Sequence, residues 1–244
     1  MKVIVTGATG VLGKEIVRQC LDDARITKVV ILTRRAVSMD VESHPKTEVV
    51  MHQDFSRYSD DLLRRLEGAS ACLWAIGGRA SHDDNDKDAL HKITVEFPLA
   101  AAKAMSESIA SSPSSSPGSK FNFVFCSTRN ADRHHSSKTL LFLSDPRRQL
   151  QQQRGEAEKA LCDIADAHPQ QGRFAAWILR PSAVLAPGGA GDAAAAAPKK
   201  RRHLGVGRSS SAGVEAPQLA RAVIRVACEG WKDRVIDNDA LLKM

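Results

Sequence analysis

Aromatic side chains are scarce: seven phenylalanines, three tryptophans and a single tyrosine, Tyr58, in 244 residues. They are too few, and too little interleaved with basic residues, to build stacking platforms for a nucleic acid. A net charge of +7 and a pI near 9.3 therefore argue for a smaller anionic partner, such as a phosphorylated cofactor. Cysteine is thinly spread. Cys20, Cys72, Cys126, Cys162 and Cys228 form no CxxC pair and have no histidine at zinc-finger spacing, which excludes a disulfide framework and reads as reduced thiols. No apolar stretch approaches bilayer-spanning length, and a strand-like run starts directly after Met1, so the expectation is a soluble cytoplasmic protein without a leader. With 43% hydrophobic and 26% charged residues, the composition excludes disordered and collagen-like chains. The length suits one domain over residues 1–244.

What is present is an alternation of short β-branched runs with segments of helical period. Strands are expected at residues 3–5, 29–32, 49–51, 71–75, 121–126 and 175–179, with an edge strand near 235–236. Between them, Leu12, Ile16, Val17, Cys20 and Leu21 share a helical face, and Ala157, Leu161, Ile164 and Ala165 share another. This is the pattern of an α/β fold with a doubly wound, mainly parallel sheet. Two segments interrupt it. Residues 106–120, with SSPSSSPGS at their centre, read as a mobile linker. Residues 188–213, where an alanine run meets PKKRR, read as a low-complexity basic flap on the substrate side. The run from Pro198 to Arg202 has the form of a nuclear localisation signal, an anion patch or a solvated loop.

The motif TGATGVLG lies between the first strand and an amphipathic helix. Glycines in such a loop let backbone approach a pyrophosphate, and the helix start offers free N–H groups and its positive dipole end. The second strand ends VVILTRR. Arg34 and Arg35 stand where an acid would bind a ribose 2′-hydroxyl, and guanidinium groups suit a 2′-phosphate, which favours NADP over NAD.

These features, with Asp54–Phe55 after the third strand, AIGG after the fourth, CST after the fifth and LRPSAV after the sixth, resemble the atypical short-chain dehydrogenase/reductase family. The chain looks most like its NmrA-like and Tip30-like groups, whose later helix carries a segment similar to RGEAEKAL. The resemblance implies a Rossmann sheet in which Gly7, Thr9, Gly10, Val11, Leu12 and Gly13 line the pyrophosphate. It further implies Arg34 and Arg35 at the 2′-phosphate and Asp54 and Phe55 beside the adenine. Ala75, Ile76 and Gly77 would follow the ribose, and Pro181 and Val184 would sit by the nicotinamide.

The family's chemistry uses a serine after the fifth strand and a Tyr-x-x-x-Lys pair on the next helix. Ser127 matches the serine. Registered on the RGEAEKAL segment, the pair reads Leu150-x-x-x-Arg154, and leucine carries no proton while arginine keeps its own. His134 and His135, soon after Ser127, are candidate proton donors or simply loop histidines. Asp83, Asp84, Asp86 and Asp88 suit an acidic helix start better than a metal site, and no metal is expected.

Three functions are compatible with these residues. The first is an NADP-dependent oxidoreductase acting on a small carbonyl or imine through a non-standard site of Ser127, Arg154 and His134. The second is a catalytically inactive NADP-sensing regulator with a protein partner. The third is a non-redox rearrangement with the cofactor as scaffold.

Overall fold

The first strand, β1 (Lys2–Thr6), turns Val3 and Val5 into one layer and Ile4 into the other, all fully buried. A strand apolar on both faces can only be satisfied inside a sheet covered on both sides. The structure, a computed structural model, describes residues 1–78, 85–109, 120–132, 146–167, 173–187 and 212–244. Asp83, Asp84, His134, His135, the basic run from Pro198 to Arg202 and the side chain of Asp86 lie outside these residues.

After β1 come α1 (Val11–Asp22), β2 (Lys28–Thr33), α2 (Met39–Glu42), β3 (Thr47–Met51), α3 (Asp60–Leu66) and β4 (Ala69–Trp74). The chain continues through α4 (Asn85–His91), a π-helical turn at Lys92–Glu96, α5 (Phe97–Ser108), β5 (Phe121–Cys126), α6 (Pro146–Ala167) and β6 (Phe174–Arg180). A short pair, β7 (Val184–Leu185) and β8 (Val214–Glu215), precedes α7 (Ala216–Glu229), β9 (Val235–Asp237) and α8 (Asn238–Leu241). Seven strands form one sheet in the order β3-β2-β1-β4-β5-β6-β9, and every neighbouring pair is parallel. The edge strand expected near 235–236 is therefore β9, parallel to β6. Chain order reverses between β1 and β4, which opens a crevice at their carboxyl ends.

The two layers differ in chemistry. Phe55, Trp74, Phe97, Phe121, Phe123, Phe125 and Phe174 gather on the face covered by α3, α5 and α6. The opposite face is aliphatic, built from Ile16, Val17 and Cys20 of α1 and Leu219, Val223 and Ala227 of α7. The scarce aromatics are thus concentrated in one layer, with Trp74 stacked on Phe123 at 5.9 Å between centroids.

The serine-rich segment starts later than its composition implied. α5 runs to Ser108, and Ser106 is buried with its hydroxyl donating to the Lys103 carbonyl at 2.9 Å. That local bond lets a serine remain in a helix it would otherwise weaken. Residues 110–119 lie outside the described residues. The ends of the 188–213 segment are held by β7 and β8, which pair in parallel through Val184–Val214 and Leu185–Glu215. Beside them the Ser182 hydroxyl donates to the Ala212 carbonyl at 2.5 Å, and the buried Asn238 amide bonds both Ser182 N (2.8 Å) and Ala212 O (3.1 Å).

Candidate functional site

β1 ends in Gly7, whose φ of +68° is a conformation that side chains resist. A Cβ there would also stand 2.5 Å from the Ala75 carbonyl oxygen and 2.9 Å from Ile76 N, so the loop rests directly on backbone following β4. Gly13 is tighter, since its Cβ would fall 2.0 Å from the Gly7 carbonyl oxygen. α1 can therefore seat on the loop only without a side chain at that position. Gly10 caps α1 with extended backbone and no side-chain bond, and no acidic residue occupies the first turn. The positive end of the helix is left uncompensated by its own sequence.

The turn after β2 is fixed by Thr33, whose hydroxyl donates to the Arg35 carbonyl at 2.7 Å and accepts from Arg35 N at 3.2 Å. The Arg35 guanidinium in turn donates through Nη2 to Thr9 Oγ1 at 2.7 Å, tying the end of β2 to the glycine loop. Arg34 accepts at its carbonyl from Gln53 Nε2 at 3.3 Å. A groove of about 160 Å³ runs over this junction, lined by Gly7, Thr9 and Gly10, by Arg34 and Arg35, and by Ala75, Ile76 and Gly77. Phe55 borders it from the core side, because its ring is buried against Trp74 and Phe97. Asp54 is exposed, and hydrogen bonds from Ser56 N (3.0 Å) and Ser56 Oγ (2.6 Å) hold its carboxyl below the usual range. A larger cavity of about 590 Å³ adjoins the groove through Thr9 and Arg35 and adds Lys14 and Ser38. Neither was singled out in the sequence. Lys14 follows the third glycine by one position, and that proximity was the available signal. Val11 is half-exposed on the first turn of α1, where Leu12 is partly buried. Pro181 is buried, its carbonyl accepting from Arg129 N at 2.9 Å, and Val184 is exposed on β7.

Ser127 lies at the end of β5 with only 4% of its surface exposed. Its hydroxyl donates to Glu158 Oε1 at 2.5 Å, and Glu158 on α6 is fully buried. Arg180, the last residue of β6, donates from Nε to both carboxylate oxygens (3.0 and 3.1 Å) and from Nη2 to Oε2. The carboxylate beside it raises the Arg180 pKa. Charge-assisted hydrogen bonds of this kind are short and strong, so the Ser127 proton is committed to Glu158. Glu158 and Arg180 were quoted in the sequence motifs without a partner. Their signal was a glutamate between Ala157 and Leu161 on an otherwise apolar helix face. We expect Ser127→Ala to cost about 1–3 kcal/mol in urea unfolding, the penalty of a buried carboxylate losing a donor.

One turn before Glu158, Arg154 lies with its guanidinium over the backbone after β4. Its Nη2 is 3.3 Å from where a Cβ on Gly77 would stand. Arg154 Nε is buried without a hydrogen-bond partner, and burial pushes the Arg154 pKa down. Cys126, beside it, is pushed up to about 12 by burial and stays a neutral thiol. Tyr58 is no substitute for the missing acid. Its hydroxyl is buried without a partner in the aromatic layer, 5.2 Å from the His52 ring between centroids, and burial raises its pKa.

Residues 7–112 match the family described as NAD(P)H-binding. The match takes in less than half of the chain, and the sheet that holds it has the Rossmann-type α/β fold. Solved structures with a similar fold include reductases, short-chain dehydrogenases and a sugar-nucleotide epimerase. The carbonyl reductase Sniffer of Drosophila melanogaster superposes with a TM-score of 0.70 at 12% identity, covering 98% of this chain and 96% of that one. Gre2 from Candida albicans in complex with NADPH gives 0.67 at 17% identity, covering 97% of this chain and 77% of that one. At such identities the likeness is one of fold. In sequence, the chain is 32% identical over 127 residues to the leucinostatins biosynthesis cluster protein T of Purpureocillium lilacinum. That alignment takes in 52% of this chain and 42% of the relative, so less than half of the relative is represented. No described helix is long and apolar enough to cross a membrane, and no group of three metal-ligating side chains gathers among the described residues.

Proposed function

We propose that the Rossmann domain binds NADP(H) across the crevice between β1 and β4, and that the protein is a reductase of a small carbonyl or imine substrate. The observation that carries the reading is the junction of Gly7, Ala75, Thr9 and Arg35. A loop with no room for side chains meets a helix start on one side and an anchored guanidinium on the other. Such a cradle fits a diphosphate, with backbone N–H groups as donors. Arg34, Arg35 and the neighbouring Lys14 supply the cations a 2′-phosphate needs, which favours NADP over NAD. The relative's name, a biosynthesis cluster protein, is consistent with a small-molecule substrate. The five cysteines form no disulfide, which fits a reducing compartment, with the cytoplasm as the place of action.

When bound, the dinucleotide would supply hydride. The chain's own contribution differs from that of a tyrosine-bearing reductase. Ser127 is engaged with Glu158, so the proton comes from solvent, and the cation at Arg154 stabilises negative charge on the acceptor. Because Ser127 is locked in this way, a second reading has its own support: an NADP-sensing binder that performs no turnover.

Titration of NADPH and NADH into the protein, followed by absorbance assays over carbonyls and imines, separates the two. Saturable NADPH binding with substrate-dependent loss of absorbance supports the reductase, and binding without turnover across the panel supports the sensor. Binding of neither dinucleotide by folded protein removes both. Arg35→Ala is expected to weaken NADPH by about ten- to a hundredfold while leaving NADH nearly unchanged, as loss of one or two charge-assisted bonds requires. Equal weakening of both would place Arg35 away from the 2′-phosphate.

A further inference from the structure

Three charged side chains meet where β5 and β6 end: Arg154 and Glu158, one turn apart on α6, and Arg180. Glu158 is consumed by Arg180 and Ser127. Among the described residues, no carboxylate lies within ion-pair distance of Arg154. Among the described residues, the cluster therefore sets two guanidinium groups against one carboxylate. Arg154 is partly buried, and its Nε is buried with no hydrogen-bond partner; a guanidinium held in this way is costly unless an anion completes its bonds.

The surroundings show where that anion enters. Arg154 Nη2 lies beside Gly77, which is exposed and lines the groove after β4. A Cβ on Gly77 would stand 3.3 Å from that nitrogen, so the bare glycine backbone leaves the guanidinium its approach to the groove. On the same β4–α4 connection, a Cβ on Gly78 would lie 3.5 Å from Thr94 Oγ1, a buried hydroxyl with no partner that sits in the π-helical turn. Such turns recur at functional sites. Arginine also suits a planar oxyanion better than lysine, since its fork can donate two parallel hydrogen bonds.

We propose that Arg154 is an anion-binding residue and that the substrate carries a carboxylate, received by the Arg154 guanidinium beside Gly77. The inference rests on the dinucleotide reading above and adds the substrate class. The same oxyanion chemistry could come from a cofactor phosphate, and the experiment separates the two sources.

The full-length protein, saturated with NADPH so that the basic residues at the glycine loop are occupied, is titrated with oxamate and with its neutral counterpart oxamide. Calorimetry and the melting temperature are followed. Oxamate is expected to bind and raise the melting temperature, and oxamide to do neither. Arg154→Met is expected to weaken oxamate by about ten- to a hundredfold and to change NADPH affinity by less than about threefold. Arg154→Lys, which keeps the charge but not the fork, should recover part of the oxamate affinity. Without ligand, Arg154→Met should melt no lower than the parent, because it removes a guanidinium whose buried Nε has no hydrogen-bond partner; a purely structural arginine would show the opposite. Oxamate that fails to bind the NADPH-loaded parent, or binds Arg154→Met equally well, overturns the inference. So does an Arg154→Met protein that loses NADPH and keeps oxamate, which would assign the anion to the cofactor. If NADPH binds neither parent nor variant, the dinucleotide reading fails on its own, and the oxamate titration of the unloaded proteins still decides whether Arg154 receives a carboxylate.

Discussion

Arg180→Met should lower folding stability by about 3–5 kcal/mol, read as a shift of the urea midpoint, because it removes the guanidinium paired with a fully buried carboxylate. Glu158 would lose a guanidinium held through three contacts, and the neutral hydrogen bond from the Ser127 hydroxyl does not replace it. Removing the charge as well should recover most of the loss. A double variant, Arg180→Met with Glu158→Leu, is expected to unfold close to the parent, since well-packed apolar groups often replace buried ion pairs at little cost. If the single variant is as stable as the parent, the pair is solvated in solution and the commitment of Ser127 to Glu158 fails with it.

Gly13→Val is the second large effect, and it falls on binding. The first atom of any side chain at this position would stand 2.0 Å from the Gly7 carbonyl oxygen, so α1 must lift from the loop. Overpacking costs about 1–3 kcal/mol in stability. The larger loss is the alignment of loop and helix N–H groups on the diphosphate. Losing two charge-assisted hydrogen bonds corresponds to at least about a hundredfold in NADPH affinity. Gly10→Ala is the matched control. Its Cβ would meet nothing closer than 3.4 Å, so the fold should be kept and binding should fall far less. Equal losses at the two positions would mean that the helix start does not carry the ligand.

Much of the sheet is legible in the sequence because parallel strands covered on both faces are written as uninterrupted apolar runs. VVILT and FNFVFC coincide with β2 and β5 to within a residue. The glycine loop is legible for a related reason: a position that excludes every side chain leaves only one residue type. Helix limits are harder to read. Ser106 looks like the start of a linker, yet its hydroxyl is satisfied by Lys103 within α5, and composition cannot report that bond. KITVE carries no mark of a π-helical turn. The cluster at Ser127 was only half visible, since the serine was recognised but its acceptor was not. Glu158 and Arg180 are 22 positions apart and meet only because α6 crosses back over β6. Phe55 shows the same limit: it lines the groove, yet its ring is turned into the aromatic layer.

The small β7–β8 ribbon, with Asn238 and Ser182 locking its flank, has a consequence for how this scaffold can change. It pins the chain at both ends of the 188–213 segment through a two-stranded sheet of its own. Closing a longer loop adds an entropic term that grows only logarithmically, about 0.6 kcal/mol for each doubling. The fold therefore has a port at which length and composition can drift or be exchanged wholesale, beside the crevice, while the seven strands stay as they are.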